Sequence, residues 1–309
     1  MENRRIILTT LEYPPFRGGA GIYCEEVAYS AAAKQNLEME VWCPKGSKGS
    51  KEVKLNTLPF PGSQSLFCSL KTMLEIKKRF REQNNQRILL HIAEPACLRA
   101  FIRFGGLIKE MPPYYVTIHG SELIRFRRNF FERNRLEKIL YGAEKIHVLS
   151  HYNRKAILNI FPSLEKKVFQ IPGAPARRIL PKSSFTANNN KEDEKLRILS
   201  VGRIHPRKGQ DILFQVMREL PKEILTKVEL NIVGPIVDSS FHKRLLGICE
   251  MIDAQIHFLG DLLDQELRGI YESSDIFVLT PLKLEKSVEG FGFSFLEASS
   301  HGLPIMASQ

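Results

Sequence analysis

Residues 200–211 read SVGRIHPRKGQD. They leave the β-branched run LRILSVG through Gly202 and enter helical periodicity near Gly209, a strand–loop–helix transition. Arg203 and Lys208 are thereby fixed in a strand-end loop beside a helix N-terminus, where backbone N–H groups and the helix dipole already favour an anion. A phosphate group is the natural occupant. A basic surface turn would account for either cation separately, since charged loops are common.

The same alternation extends in both directions. RIILTT, MEVWC, RILLHIA, YYVTIHG, KIHVLS and VFQIPG read as strands before it, with helical stretches such as IYCEEVAYSAAAKQ and ACLRAFIRFGGLIKE between them. VELNIVG, QIHFLG, DIFVLT and LPIMAS follow it, with helical segments near 209–220, 240–253, 264–273 and 292–302. Short strands alternating with longer helices predict parallel sheets covered by helices, the doubly wound α/β class. The polar stretch ILPKSSFTANNNKEDEK has no apolar period and has the composition of an exposed linker. The expected organisation is a first domain over 1–178, a linker over 179–195 and a second domain over 196–309, with a cleft between two Rossmann-like lobes.

Length and composition agree with two soluble lobes: 309 residues, 43% hydrophobic and 26% charged. The five cysteines are odd in number, scattered and never spaced CxxC, which argues against a disulfide framework or a zinc site and for a reducing, cytoplasmic setting. No run reaches the length of a spanning helix, and the N-terminal apolar run is too short for a signal peptide. The net charge of +11 is uneven. Residues 1–150 hold 24 Lys and Arg against 15 Glu and no Asp, a net of +9, which leaves +2 for the remainder. Around SELIRFRRNFFERNRLEK, Phe126, Phe130 and Phe131 interleave with Arg125, Arg127, Arg128, Arg133 and Arg135. Such segments either rest on an anionic membrane surface or are ordinary helices with solvated cationic faces. No nucleic-acid-binding motif or continuous basic stripe is present, so no nucleic-acid partner is expected.

Three further stretches carry candidate chemistry. In EGFGFSFLEA, Gly290 and Gly292 let backbone approach a ligand, and amides from Gly290 to Phe293 open a helix. Glu289 and Glu297 would stand ~12 Å apart were the segment wholly helical, about the span of a sugar diphosphate with its ribose. In LEYPPFRGGAGIYCEE, Gly18, Gly19 and Gly21 precede a helix without forming a GxGxxG fingerprint or a Walker A loop. In VTIHGSE, His119 sits at a strand end, where ligands of open α/β sheets bind.

Taken together, GGAGIY, TIHGSE, SVGRIHPRKG, NIVGP, IHFLGDLLDQEL and EGFGFSFLEASSHGLPIMAS resemble the family 4 glycosyltransferases of GT-B fold, in order and over nearly the whole chain. The resemblance implies retaining, metal-independent sugar transfer from a nucleotide-diphosphate sugar to a glycan or lipid-linked acceptor held mainly by the first lobe. By matching motif, Arg203 and Lys208 would bind the diphosphate, Glu289 the donor sugar and Glu297 the ribose. Gly290, Phe291 and Gly292 would offer amides, His119 would touch the sugar, and Gly19 would lie near the phosphate and acceptor. Leu259 and Gly260 would hold the base. No cofactor or metal is expected, since there is no DxD and no His/Cys/carboxylate cluster. Glu289 as sugar anchor or as nucleophile of a double displacement stays open at this level, as does a two-lobed sugar-nucleotide epimerase. Family members continue past the strand matching LPIMAS with a Gly-Gly loop, a strand and helices. The chain is therefore expected to be truncated there, the alternative reading being an inactive transferase-like protein that at most binds nucleotide sugar.

Overall fold

Alternating β-branched and amphipathic stretches resolve into two α/β units, Met1–Ala174 and Pro175–Gln309. The structure, a computed structural model, describes residues 4–16, 18–82, 88–182, 195–285 and 288–308. The first unit contains strands β1 (Arg4–Thr9), β2 (Leu37–Cys43), β3 (Lys54–Thr57), β4 (Ile88–Ile92), β5 (Tyr114–Ile118), β6 (Lys145–Val148) and β7 (Val168–Gln170). Its helices are α1 (Gly19–Ala32), α2 (Leu66–Glu82), α3 (Pro95–Phe104), α4 (Ser121–Arg125), α5 (Phe130–Gly142) and α6 (His151–Ile160). All pairings are parallel, in the order β3-β2-β1-β4-β5-β6-β7. Strand β3, whose residues Lys54–Thr57 carry no apolar alternation, escapes the sequence reading.

The second unit runs β8 (Leu196–Val201), α7 (Gln210–Arg218), α8 (Lys222–Leu225), β9 (Val228–Val233), α9 (Ser239–Cys249), β10 (Gln255–Gly260), α10 (Asp264–Ser273), β11 (Ile276–Leu279), α11 (Phe293–Ser300) and β12 (Ile305–Ala307). Its parallel sheet has the order β10-β9-β8-β11-β12. In both sheets the order reverses beside the first strand, between β1 and β4 and between β8 and β11, so each unit has a topological switch point beyond the carboxyl ends of those strands.

Local chemistry sets the helix starts. Glu94 caps α3 by accepting from the amides of Ala96 and Cys97, with Pro95 in the first turn. Asn129 and Ser150 cap α5 and α6 in the same way. The first core is built from Ile7, Leu90, Ile92, Val116, Ile118 and Trp42, and the second from Phe214, Leu230, Ile232, Leu245 and Val278. The segment 175–182 belongs with the second unit, whereas the sequence reading ends the first domain at 178. His301 holds this segment through Nε2 to the Ile179 carbonyl at 2.8 Å, and Arg178 pairs with Asp264 at 3.0 Å. The stretch expected to be the linker lies, from residue 183 to 194, outside the described residues.

One polar group sits inside the first core. The Glu40 carboxylate on β2 accepts from Arg5 at 2.6 Å, from the Trp42 indole at 2.7 Å and from Asn56 at 3.0 Å. Burial alone would raise its pKa, but these donors and the Arg5 charge reverse that and hold it at about 2. A depressed carboxylate stabilises the fold above its unfolded value and loses that contribution as pH falls through its folded value. Unfolding free energy is therefore expected to decline between about pH 5 and pH 2. Glu40→Gln should remove that slope and cost on the order of 2–3 kcal/mol at neutral pH, as read by denaturant titration.

Candidate functional site

The switch point of the second unit gathers most of the residues singled out from sequence. From the end of β8 the chain passes Gly202 and Arg203, makes a single 3-10 turn over Pro206–Lys208, and enters α7 at Gly209. The His205 ring accepts from the Arg207 amide at 3.0 Å, which starts that turn. Gly209 is left-handed at φ 69, and a Cβ there would lie 1.8 Å from the Thr280 carbonyl oxygen at the end of β11. Thr280 Oγ1 in turn donates to the Gly209 carbonyl at 2.7 Å, and the Leu282 amide donates to the Arg207 carbonyl at 2.8 Å. The loop after β8 is thus stitched to the loop after β11.

That second loop brings Glu289 to the cations. Its Oε2 accepts from Lys208 Nζ at 2.8 Å and from Arg207 Nη1, which also reaches the Val288 carbonyl. Lys208 is 8% exposed. Burial lowers its pKa, while Glu289 opposes that and the neighbouring Arg207 and Arg203 add to it. Burial pushes the Glu289 carboxyl up, but Lys208 and Arg207 more than reverse it, so the group is held below the usual carboxylate range. The Glu289 carboxyl is therefore ionised at neutral pH. Arg203 is exposed and makes no contact with Glu289; its carbonyl accepts from Gln210 at 3.1 Å. The partner of Glu289 is Arg207, which the sequence reading passed over although it stands in the same PRKG run.

Residues 290–292 lead into α11. Gly292 is left-handed at φ 79, and a Cβ would meet the Phe295 ring at 2.5 Å, so glycine lets the chain turn into the helix with its first amides uncovered by side chain. The helix begins only at Phe293, so Glu289 is a loop residue and the wholly helical spacing does not apply. Glu297, one turn inside α11, is 5% exposed and accepts from Tyr271 Oη at 2.9 Å. Its pKa is raised by burial, against the Tyr271 hydrogen bond and the Arg178 and Lys208 charges. Tyr271, stacked on His301 at 5.1 Å, is a supporting residue that only helical periodicity marks in the sequence. Leu259 lies in a register shift at the end of β10, and Gly260 accepts from the Gly234 amide at 2.7 Å.

His119 and Gly19 belong to the first unit. His119 follows β5; its Nε2 donates to the Ala93 carbonyl at 2.9 Å, and its amide donates to the Glu122 carboxylate. Burial lowers the imidazole pKa, so the ring is neutral, and with the proton on Nε2 its Nδ1 is an acceptor. Gly19 opens α1. The glycines before and within that turn have a specific cause: a Cβ on Gly18 would fall 2.0 Å from the Glu12 carboxylate, which accepts from the Gly21 amide at 3.0 Å. Glu12 thus ties down the start of α1, a role the sequence reading did not assign. Next to it Glu94, also bonded to the Leu11 amide, is lifted by burial and by the Glu12 charge to about 7 despite three amide donors.

Two family profiles match the chain: Glycosyl transferase 4-like over residues 18–150 and Glycosyl transferases group 1 over residues 182–309. Parallel sheets with a cationic switch-point loop and a glycine-capped helix thus belong to a glycosyltransferase of GT-B fold. The chain is a member of the group 1 and type 4-like glycosyltransferases. Among its relatives is the GDP-mannose-dependent alpha-(1-6)-phosphatidylinositol monomannoside mannosyltransferase of Mycobacterium tuberculosis, 25% identical over 98% of this chain and 80% of that protein. Two solved structures share the fold. Sucrose-phosphate synthase from Thermosynechococcus elongatus superposes with a TM-score of 0.74 at 20% identity, over 98% of this chain and 81% of that one. WaaG, a glycosyltransferase involved in lipopolysaccharide biosynthesis, gives 0.69 at 14% identity, over 98% and 80%.

Proposed function

We propose that this glycosyltransferase moves a hexose, with retention, from a nucleotide-diphosphate sugar to a hydroxyl of a glycan or lipid-linked acceptor. The observation that carries the reading is the constellation at the second switch point, with Lys208 and Arg207 on one carboxylate, Glu289, next to the glycine-capped start of α11. In it Lys208, Arg203 and Arg207 take the charge that builds on the leaving diphosphate, helped by amides from Gly290, Phe291 and Gly292. These fixed cations supply that stabilisation without a metal. Glu297 accepts from the ribose hydroxyls, the turn at Leu259 and Gly260 receives the base, and His119 Nδ1 accepts from a sugar hydroxyl. Gly19 borders the phosphate and acceptor.

Glu289 anchors the sugar rather than attacking it. Two charge-assisted hydrogen bonds to Oε2 withdraw the electron density that a nucleophile needs, and Oε1 is left to accept from sugar hydroxyls. Attack of the acceptor from the leaving-group face then gives retention. GDP-mannose is the donor favoured by the mycobacterial relative's activity, and a phosphoinositide-like glycolipid is the corresponding acceptor. Among the described residues no helix is long and apolar enough to cross a membrane. On this reading the protein works at the cytoplasmic face, with the basic first unit on an anionic membrane surface.

Calorimetric titration with GDP-mannose and UDP-glucose is expected to show binding that weakens about 10- to 100-fold in Glu297→Ala, the worth of hydrogen bonds to a charged acceptor. Equal affinity in both proteins would remove the ribose assignment. A nucleoside monophosphate binding as tightly as the diphosphate would remove the cation site. The anomeric configuration of the product, read by NMR, tests retention.

A further inference from the structure

The arrangement of α2, α3 and α5 points to a bilayer-docking face in the first unit, and we propose that it seats on membranes containing anionic phospholipid through Leu66, Phe67, Phe130 and Phe131. This deepens the membrane-surface part of the function above and rests on it, but not on the choice of donor. Four large apolar side chains stand 62%, 67%, 68% and 72% exposed at the first turns of two helices. Their placement is built in. The Asn129 side chain caps α5 through the amides of Phe131 and Glu132, which sets Phe130 and Phe131 at the tip, in contact with each other at 5.9 Å. Phe126, four residues earlier, goes the other way: it is buried, with Arg99 over its ring at 5.2 Å.

Arg103 on α3 pins both tips side by side. Its Nε donates to Glu132 on α5 at 2.8 Å, and its Nη1 donates to the Gln64 carbonyl at 2.9 Å and to Ser69 at 3.2 Å, at the start of α2. The apolar pair on α2 and the apolar pair on α5 thus stand on helix starts joined through one arginine side chain. Cations flank the pairs: Lys71 lies over the Phe67 ring at 4.2 Å, and Arg127 and Arg133 are exposed on either side of the α5 tip. From Ser121 to Lys138 there are six cations against three acids, and two of those acids, Glu122 and Glu132, are buried. Aromatic side chains within a segment of net positive charge suit the interface of an anionic bilayer, where rings enter the headgroup layer and ammonium and guanidinium groups meet phosphate.

A second feature of the same helices agrees. A cavity of 470 Å³ between α3 and α5 is walled by Phe101, Phe104, Leu107 and Met111, with Arg135 and Lys138 also lining it. Phe131, Arg135 and Lys138 follow one stripe of α5 at i, i+4 and i+7, so this apolar hollow with a cationic border continues the exposed tip. An acyl chain and an anionic headgroup have that distribution of polarity.

Vesicle co-sedimentation of the whole chain tests the face. Phosphatidylcholine vesicles carrying phosphatidylglycerol should bind the protein, pure phosphatidylcholine vesicles should bind it far less, and added salt should release it. Phe130→Ser with Phe131→Ser should weaken partitioning about tenfold, and Arg127→Gln with Lys138→Gln about 30-fold. All four positions are solvent-exposed, so unchanged circular dichroism and melting are expected and would certify the fold. Equal partitioning into neutral and anionic vesicles, or wild-type partitioning by the serine variant, would overturn the proposal. So would loss of the apolar pairs' exposure through self-association in solution with no vesicle binding. Donor titration of the same variants should match wild type, so a failed vesicle result and a failed donor assignment are read separately.

Discussion

Replacing Lys208 by methionine should lower affinity for a nucleotide-diphosphate sugar by about 100-fold, within the range of about 30- to 1,000-fold expected when one partner of a buried, hydrogen-bonded charge pair is lost. Two effects add. The diphosphate loses a cation that is held at the loop by its own burial, and the half-buried Glu289 loses the stronger of its counter-charges. Calorimetry with GDP-mannose and with the free nucleoside separates them, because only the first depends on the phosphates. Arg203→Ala, at an exposed side chain, should cost much less. Stability also carries a signature with a definite sign. Glu289 in the wild type is held below its ordinary pKa, so the pair stabilises above the unfolded carboxylate value and that contribution fades on acidification. The stability gap between wild type and Lys208→Met should therefore narrow as pH falls below about 5. A gap that stays constant down to acid pH would mean that the two side chains are not coupled.

Gly209→Ala is the second large effect, and it acts on the fold before it acts on the ligand. A left-handed alanine costs about 1–2 kcal/mol from backbone sterics alone. Here the new methyl would also overlap the Thr280 carbonyl, backbone that directly follows β11 and cannot rotate aside. The sum should exceed about 3 kcal/mol and lower the melting of the second unit by on the order of 10 °C. Differential scanning calorimetry is the measurement, since two units can melt separately. A melting point within a degree or two of wild type, at about the level of an ordinary surface change, would show that the loop relaxes freely and is not stitched as described.

The fold was legible because the strands of the second unit are short, largely apolar stretches bounded by turns, and because LRILSVG enters its helix through a visible glycine. Strand β3 was not legible, since Lys54–Thr57 sits at the sheet edge with no buried stripe to impose a period. At the site, the residue types Lys208, Glu289 and Glu297 could be picked out because cations, glycines and carboxylates at strand ends have few other reasons to be there. Their pairing could not. Whether Arg203 or Arg207 meets Glu289 depends on the 3-10 turn that His205 initiates, and a turn of three residues leaves no periodicity in the sequence. Tyr271 and Thr280 support the site from helix and strand positions that look like ordinary packing. Glu12 lay hidden in plain view: glycines beside a carboxylate read as loop flexibility, whereas the space they leave is filled by that carboxylate.

The two bonds joining Thr280 to Gly209 and Leu282 to Arg207 make residues 207–209 and 280–282 a single solid piece. A visiting molecule meets cations and acid already in formation, so little chain motion is frozen on contact and association should carry a small entropic penalty at this edge. The amide protons of Gly209 and Leu282 then belong to one cooperative unit, exchanging with deuterium together and only when the sheet beneath them opens.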